Sequence, residues 1–122
     1  MIDRINLKEK LTRIEELWSP RVIGQLNGQH VKIAKIRGEF VWHKHDAEDE
    51  FFLVLRGCMK IALRERVIEL AEGECCVIPR GVEHKPEADS VCHILLFEPA
   101  STRNTGNVTN ERTVEPDDLE RA

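Results

Sequence analysis

His43-Lys44-His45 and the following Glu50 are the residues of this chain most able to do chemistry. Side chains at i and i+2 of a strand point to the same face, with Cα atoms roughly 6–7 Å apart, so the two imidazoles can reach one cation. Glu50 follows the acidic turn Asp46-Ala47-Glu48-Asp49 and can bring a carboxylate from the next strand. Two imidazoles and a carboxylate around one point suit a borderline divalent metal, and one more histidine from elsewhere would complete the set. Taken singly, each histidine is more often a hydrogen-bonded polar group than a ligand. Asp46, Glu48 and Asp49 read as a solvated turn, with Glu48 a substitute ligand if the register slips.

These residues need elements to hold them. Residues 6–18 predict a short amphipathic helix, because Leu7, Leu11, Ile14 and Trp18 fall at helical spacing. Asn6 can cap its start, Glu9 stands where a capping-box partner would, and Ser19-Pro20 stops it. Its apolar stripe would cover a sheet or meet a second subunit. From Val22 to Phe97 short apolar runs alternate with turn signals, the strongest being Asn27-Gly28. Strands are expected over 21–26, 30–37, 39–45, 50–56, 58–64, 67–70, 74–78 and 91–98. So many short strands with no helix between them predict an all-β sandwich or barrel and exclude a parallel α/β sheet. The organisation is therefore a helical arm over 1–20, a β domain over 21–98 and a polar tail over 99–122. That tail either lies loosely along the surface or packs as an arm around the turn Thr105-Gly106-Asn107.

Downstream, Gly73-Glu-Cys-Cys-Val-Ile-Pro79-Arg-Gly81-Val-Glu-His84 repeats the strand, turn and histidine theme. Together the two segments run His43-x-His45-x4-Glu50-x6-Gly57 and Gly73-x5-Pro79-x-Gly81-x2-His84. This spacing resembles the two motifs of the cupin superfamily, and with the flanking strands the likeness covers about four-fifths of the chain. There are two departures. Gly38 lies one residue closer to His43 than the family pattern has it, and Ala88 stands where the pattern ends on Asn. The resemblance implies a cupin jelly-roll β-barrel, an antiparallel double sheet, with one divalent transition metal (Fe, Mn, Ni, Zn or Cu) held inside by His43, His45, Glu50 and His84. Four protein ligands on an octahedral ion leave two positions open, whereas a tetrahedral zinc would be filled and structural.

Alternation suggests the cavity walls. With His43 and His45 inward, Val41, Glu39 and Arg37 should follow unless a bulge at Gly38 breaks the phase; inward Glu50 implies inward Phe52 and Val54. Arg37, Lys35 and Lys85 are candidates for holding an anionic group, against the blander reading of solvated charges. His93 is a candidate acid/base group, His30 a surface residue, and Trp42 should point outward. Cys58, Cys75, Cys76 and Cys92 form no C-x-x-C pair and read as small buried hydrophobes.

Bulk properties limit the function. The 122 residues suit one domain, and the net charge of −4 with no dense basic block argues against general nucleic-acid binding. No apolar run approaches the roughly 20 residues of a membrane span, and Met1-Ile2-Asp3-Arg4 lacks the pattern of a signal peptide, so a cytoplasmic setting is expected. The resemblance implies a metal-dependent enzyme acting on a small polar or carboxylate-bearing molecule, of oxygenase, decarboxylase or isomerase type, with no catalytic residue assigned beyond the ligands. The rival is a non-catalytic metal-containing module that binds or senses a small ligand. Pairing into a homodimer is expected in either case.

Overall fold

The computed structural model describes residues 2–122. One helix, α1 (Leu7–Thr12), precedes seven strands: β1 (Arg21–Leu26), β2 (Gln29–Glu39), β3 (Glu50–Arg56), β4 (Cys58–Ala62), β5 (Val67–Ala71), β6 (Cys75–Ile78) and β7 (Lys85–Pro99). A 3-10 turn at Pro116–Asp118 follows. All strand pairs are antiparallel, in the order β1-β2-β7-β3-β6, with β4 pairing both β5 and β7. Strand β7 joins the two halves of the jelly roll. Its first residues, Lys85–Glu87, pair with β4, and Cys92–Pro99 run between β2 and β3.

The β1–β2 hairpin forms at Asn27-Gly28 as the sequence predicts. Both residues have positive φ, 48° and 76°, and Leu26 faces Gln29. Such a two-residue turn matches the right-handed twist of its strands. Even-numbered residues of the central strands turn inward: Ala34 and Ile36 on β2, Phe52 and Val54 on β3, Ile94 and Leu96 on β7. Each large aliphatic or aromatic side chain fully removed from water there contributes about 1.5–3 kcal/mol. The opposite face of β2 presents Ile33 to Leu11 and Ile14, which form a second, smaller core. The N-terminal arm thus covers the sheet.

The helix is shorter than its periodicity predicts. Asn6 caps it by accepting from Glu9 N at 3.0 Å, yet it ends at Thr12 with Arg13 as C-cap. Glu9 does not close the capping box, because its carboxylate takes the Arg13 guanidinium at 2.8 Å. Trp18 explains the early stop. It bonds Lys35 O through its backbone N–H and Arg37 O through Nε1, and stacks on Phe40 at 4.8 Å between centroids. Reaching that position requires φ of 59°, which no helix continuing to residue 18 could supply. A tertiary aromatic contact overrides the local stripe.

The strand expected over 39–45 is also absent as such. Gly38, at φ of 78°, sits in a bulge where the β2–β7 register slips between Ile36 and Gly38, and the ladder stops at Glu39. Beyond it the chain stays extended, with Phe40 N donating to Pro86 O at 2.9 Å and His43 bridging His84. The bulge breaks the alternation, so the expected inward residues are corrected: Arg37 and Glu39 are exposed and Val41 is only half-buried, while Phe40 is buried. Phe52 and Val54 do face inward.

Residues 99–122 pack as an arm. Thr102 and Thr105 are fully buried, and at the far end Ala122 N donates to Val22 O at 3.1 Å. No described helix is long and apolar enough to cross a membrane.

Candidate metal centre

His43 and His84 come together because each donates its backbone N–H to the other's carbonyl, at 3.0 and 2.9 Å. This narrow antiparallel bridge leaves their rings on one side, 4.3 Å apart between centroids. Each ring is oriented by its Nδ1, which lies 2.9 Å from Val41 O in His43 and 3.0 Å from Val82 O in His84. An Nδ1–H donated to a carbonyl leaves Nε2 with a free lone pair, the state a metal ligand needs. His45 is held by Gly81, whose N–H donates to His45 O at 2.8 Å. Gly81 itself has φ of 82°, and Arg80 next to it ties back to Asp49 through its backbone N–H at 2.8 Å. The second motif's turn is therefore bound to the first motif's acidic loop.

Glu50 opens β3 opposite Ile78 and points inward. Its Oε1 lies 3.1 Å from His84 Nε2 and 3.5 Å from His45 Nε2. All four side chains are buried, and one ligand atom from each lies within 4.8 Å of the others. Metal–nitrogen bonds of about 2.0–2.1 Å place ligand atoms about 3–4.2 Å apart around one ion, so the cluster has the size of a single coordination shell. A further observation favours an ion there. Neither His45 ring nitrogen has a hydrogen-bond partner, although both are buried. An unsatisfied buried polar atom costs about 1–3 kcal/mol, and a cation among the four residues would engage one of the two.

The electrostatics suit ligation. Burial and the charge of His84 hold His43 down to about 4, which keeps its imidazole neutral at neutral pH. Burial alone would raise the Glu50 carboxyl, but the imidazoles of His45 and His84 outweigh it and hold Glu50 well below the usual carboxylate range. His43 thus offers a neutral nitrogen and Glu50 an anionic oxygen.

His43 and Glu50 also line a cavity of about 40 Å³. A cavity needs about 10–15 Å³ measured this way to hold one water, so the space takes a few waters or a very small molecule. Trp18, Phe40 and Phe52 form much of its wall, and Glu98 and Asn104 supply its other polar atoms.

A family profile, Cupin_2, described as a cupin domain, matches residues 29–98. The chain belongs to the cupin family. This cupin is similar to the crystal structure of a cupin-2 domain containing protein from Shewanella frigidimarina NCIMB 400, at 47% identity and a TM-score of 0.77, over 78% of this chain and 93% of that one. It is also similar to protein NMB1881 from Neisseria meningitidis, at 31% identity and a TM-score of 0.73, covering 80% of this chain and 99% of that one. Among curated proteins, the uncharacterized protein YdbB of Bacillus subtilis strain 168 is 30% identical over 81 residues, 66% of this cupin and 72% of that protein.

The other residues singled out in the sequence are placed differently. Among the described residues no lysine or arginine lines the cavity: Lys85 pairs with Glu39 at 2.7 Å, Arg37 is exposed, and Lys35 lines an outer groove with His93 and Leu11. His93 therefore stands outside the cavity. His30 is buried rather than on the surface, with its Nδ1 unpartnered. Glu48 accepts from Ser101 Oγ at 2.9 Å and takes no part in the cluster. Trp42 does turn away from the ligands, and Arg64 stacks on its ring at 3.9 Å. Of the cysteines, Cys92 is buried as expected, but Cys58 and Cys75 are exposed; all four are free thiols.

Sequence reasoning missed the Lys32–Glu98 pair. Lys32 Nζ lies 2.9 Å from Glu98 Oε1, with side-chain exposures of 1% and 2%. Burial and the neighbouring Glu50 carboxylate push Glu98 well above the usual carboxylate range, outweighing Lys32, whose Nζ donates to Oε1. The signal was available: Lys32 precedes Ala34 and Ile36 at even spacing, and Glu98 follows Ile94 and Leu96, so both fall on inward-facing positions.

Proposed function

We propose that this cupin binds one divalent transition metal (Fe, Mn, Ni, Zn or Cu) through His43, His45, Glu50 and His84, and uses it as an enzyme on a small polar molecule. The observation that carries this reading is the convergence of four buried ligand atoms on the wall of a cavity that admits a very small molecule. Bound there, the metal would supply Lewis-acid or oxygen chemistry of the oxygenase, decarboxylase or isomerase type. The protein's part is to fix the ligands, to exclude bulk water with Trp18, Phe40 and Phe52, and to present Glu50 and Glu98 on the polar side.

Elemental analysis of the protein as purified tests this directly. One equivalent of a transition metal is expected, and His45→Ala should lose most of it; full retention by the variant would refute the ligand assignment. Turnover of small polar molecules in air only would indicate an oxygenase, and turnover under nitrogen an isomerase or decarboxylase.

One observation favours the rival reading of a non-catalytic binding or sensing module. Beyond the ligands, the titratable group lining the cavity is Glu98, and Lys32 occupies one of its oxygens. Such a module would be stabilised by its ligand with no turnover across the same panel. The proposal extends to a homodimer and to a cytoplasmic setting, the latter supported by the four free thiols.

A further inference from the structure

The family match ends at residue 98, and the arm that follows reaches back to the strand carrying two of the ligands. That strand needs outside support. Residues 41–45 have left the β2–β7 ladder, and His43 uses its backbone groups on His84. In an extended chain the next residue's N–H and C=O point to the opposite side. Lys44 therefore turns its peptide groups away from His84, where no strand runs. Asn107 takes the place of one: Lys44 N donates to Asn107 Oδ1 at 2.9 Å, and Asn107 N donates to Lys44 O at 3.0 Å. One residue of the arm thus satisfies both backbone groups of the residue between His43 and His45.

Gly106 makes the approach possible. It has φ of 56°, and a Cβ built there would lie 2.2 Å from Lys44 O and 3.1 Å from His43 Cδ2. Any side chain at 106 would push directly on the ligand strand. The turn is braced from behind. Thr105 Oγ1, fully buried, lies 2.6 Å from Val108 O and 2.7 Å from Thr113 Oγ1, and Asn104 holds Arg112 O and Val114 N through its amide. A rigid turn therefore presses on one side of His43-Lys44-His45 while His84 holds the other.

We propose that Asn107, seated by Gly106, is a positioning residue of the metal centre: the C-terminal arm sets the spacing of His43 and His45 and thereby the affinity for metal. This rests on the reading that these residues bind metal. Partners that orient metal ligands typically govern about 10–100-fold in affinity.

The test uses the full chain, with dissociation constants for Zn(II) by chelator competition, the absorption spectrum of the Co(II) form, and urea melts of the metal-free protein. Asn107→Ala should weaken Zn(II) binding about 10–100-fold and alter the Co(II) spectrum, while the metal-free melt changes little, since Asn107 is exposed. Asn107→Asp keeps the acceptor for Lys44 N and should bind within a few-fold of wild type. Gly106→Ala should match or exceed the loss of Asn107→Ala. Wild-type affinity and spectrum in Asn107→Ala would overturn the inference, as would equal losses in the Ala and Asp variants. A wild-type chain that binds no Zn(II) or Co(II) would overturn the metal reading itself and the inference with it.

Discussion

The histidines of the centre are prepared for metal by different means. His43 and His84 are oriented by carbonyls two residues upstream, whereas His45 has both ring nitrogens unpartnered and depends on its backbone and on packing. His43 carries a stability signature that pH can read. An unfolded chain takes up its proton near the ordinary imidazole value of 6.5, and the folded chain only at about 4. As pH falls through that interval the unfolded state binds more protons, so this group withdraws stability, in total on the order of 3 kcal/mol. Glu98 acts in the opposite sense. Its carboxyl holds a proton to higher pH when folded than when unfolded, so it withdraws stability as pH rises above the ordinary carboxyl range and returns it on acidification. In the metal-free protein the two offset one another. Glu98→Gln removes the second contribution, so its stability in urea should fall more steeply than that of wild type between pH 6.5 and 4.5. Parallel curves would contradict this assignment of charge states, and an NMR titration should place the His43 midpoint near 4.

At the scale of elements, the site depends on places where regular structure is interrupted. Past the Gly38 bulge residues 41–45 leave the ladder, and the turn at Gly81 ties His45 to the second motif. Gly57 does comparable work between β3 and β4. It has φ of 89°, and a Cβ there would meet Val91 O at 3.2 Å and Cys92 Cα at 3.4 Å. Gly57→Ala should therefore cost on the order of 1–3 kcal/mol, read as a lower urea midpoint with an unchanged slope. A loss below a few tenths of a kcal/mol would mean that the turn relaxes freely. The glycines at these positions were visible in the motif spacing. The early end of α1 was not, because it results from Trp18 docking on Phe40, a residue far away in sequence.

At the scale of the molecule, β7 ties the seven-stranded sheet together by pairing with β2, β3 and β4, and the ligands of the centre come from three separate segments around it. Two of the outer strands, β1 and β6, differ. The arm covers part of β1 through Glu120 and Ala122, while β6 ends its sheet with Val77 58% exposed. An open apolar edge invites pairing with a second copy, and the proposed homodimer is placed there. Light scattering should give twice the 14.1 kDa of one chain, and Val77→Lys should shift the protein toward the single-chain mass. A monomeric wild type would exclude the dimer.

The amino-acid sequence by itself determined the strand-rich class, the Asn27-Gly28 hairpin, the family and the four candidate ligands, because these depend on residue type at short, regular spacing. Tertiary structure alone decided the rest. Alternation could not be carried past Gly38, since a bulge resets which side chains face inward. Lys32 and Glu98 each fall on inward-facing positions of their strands, but that they meet is decided by the pairing of β2 with β7. The role of the C-terminal arm was open in the sequence for a similar reason. Its polar residues look like a solvated tail until Lys44, left without a neighbouring strand, is seen to take Asn107 as its partner. Local pattern names the groups that can bind a metal; the chain's long-range hydrogen bonds determine how they are held.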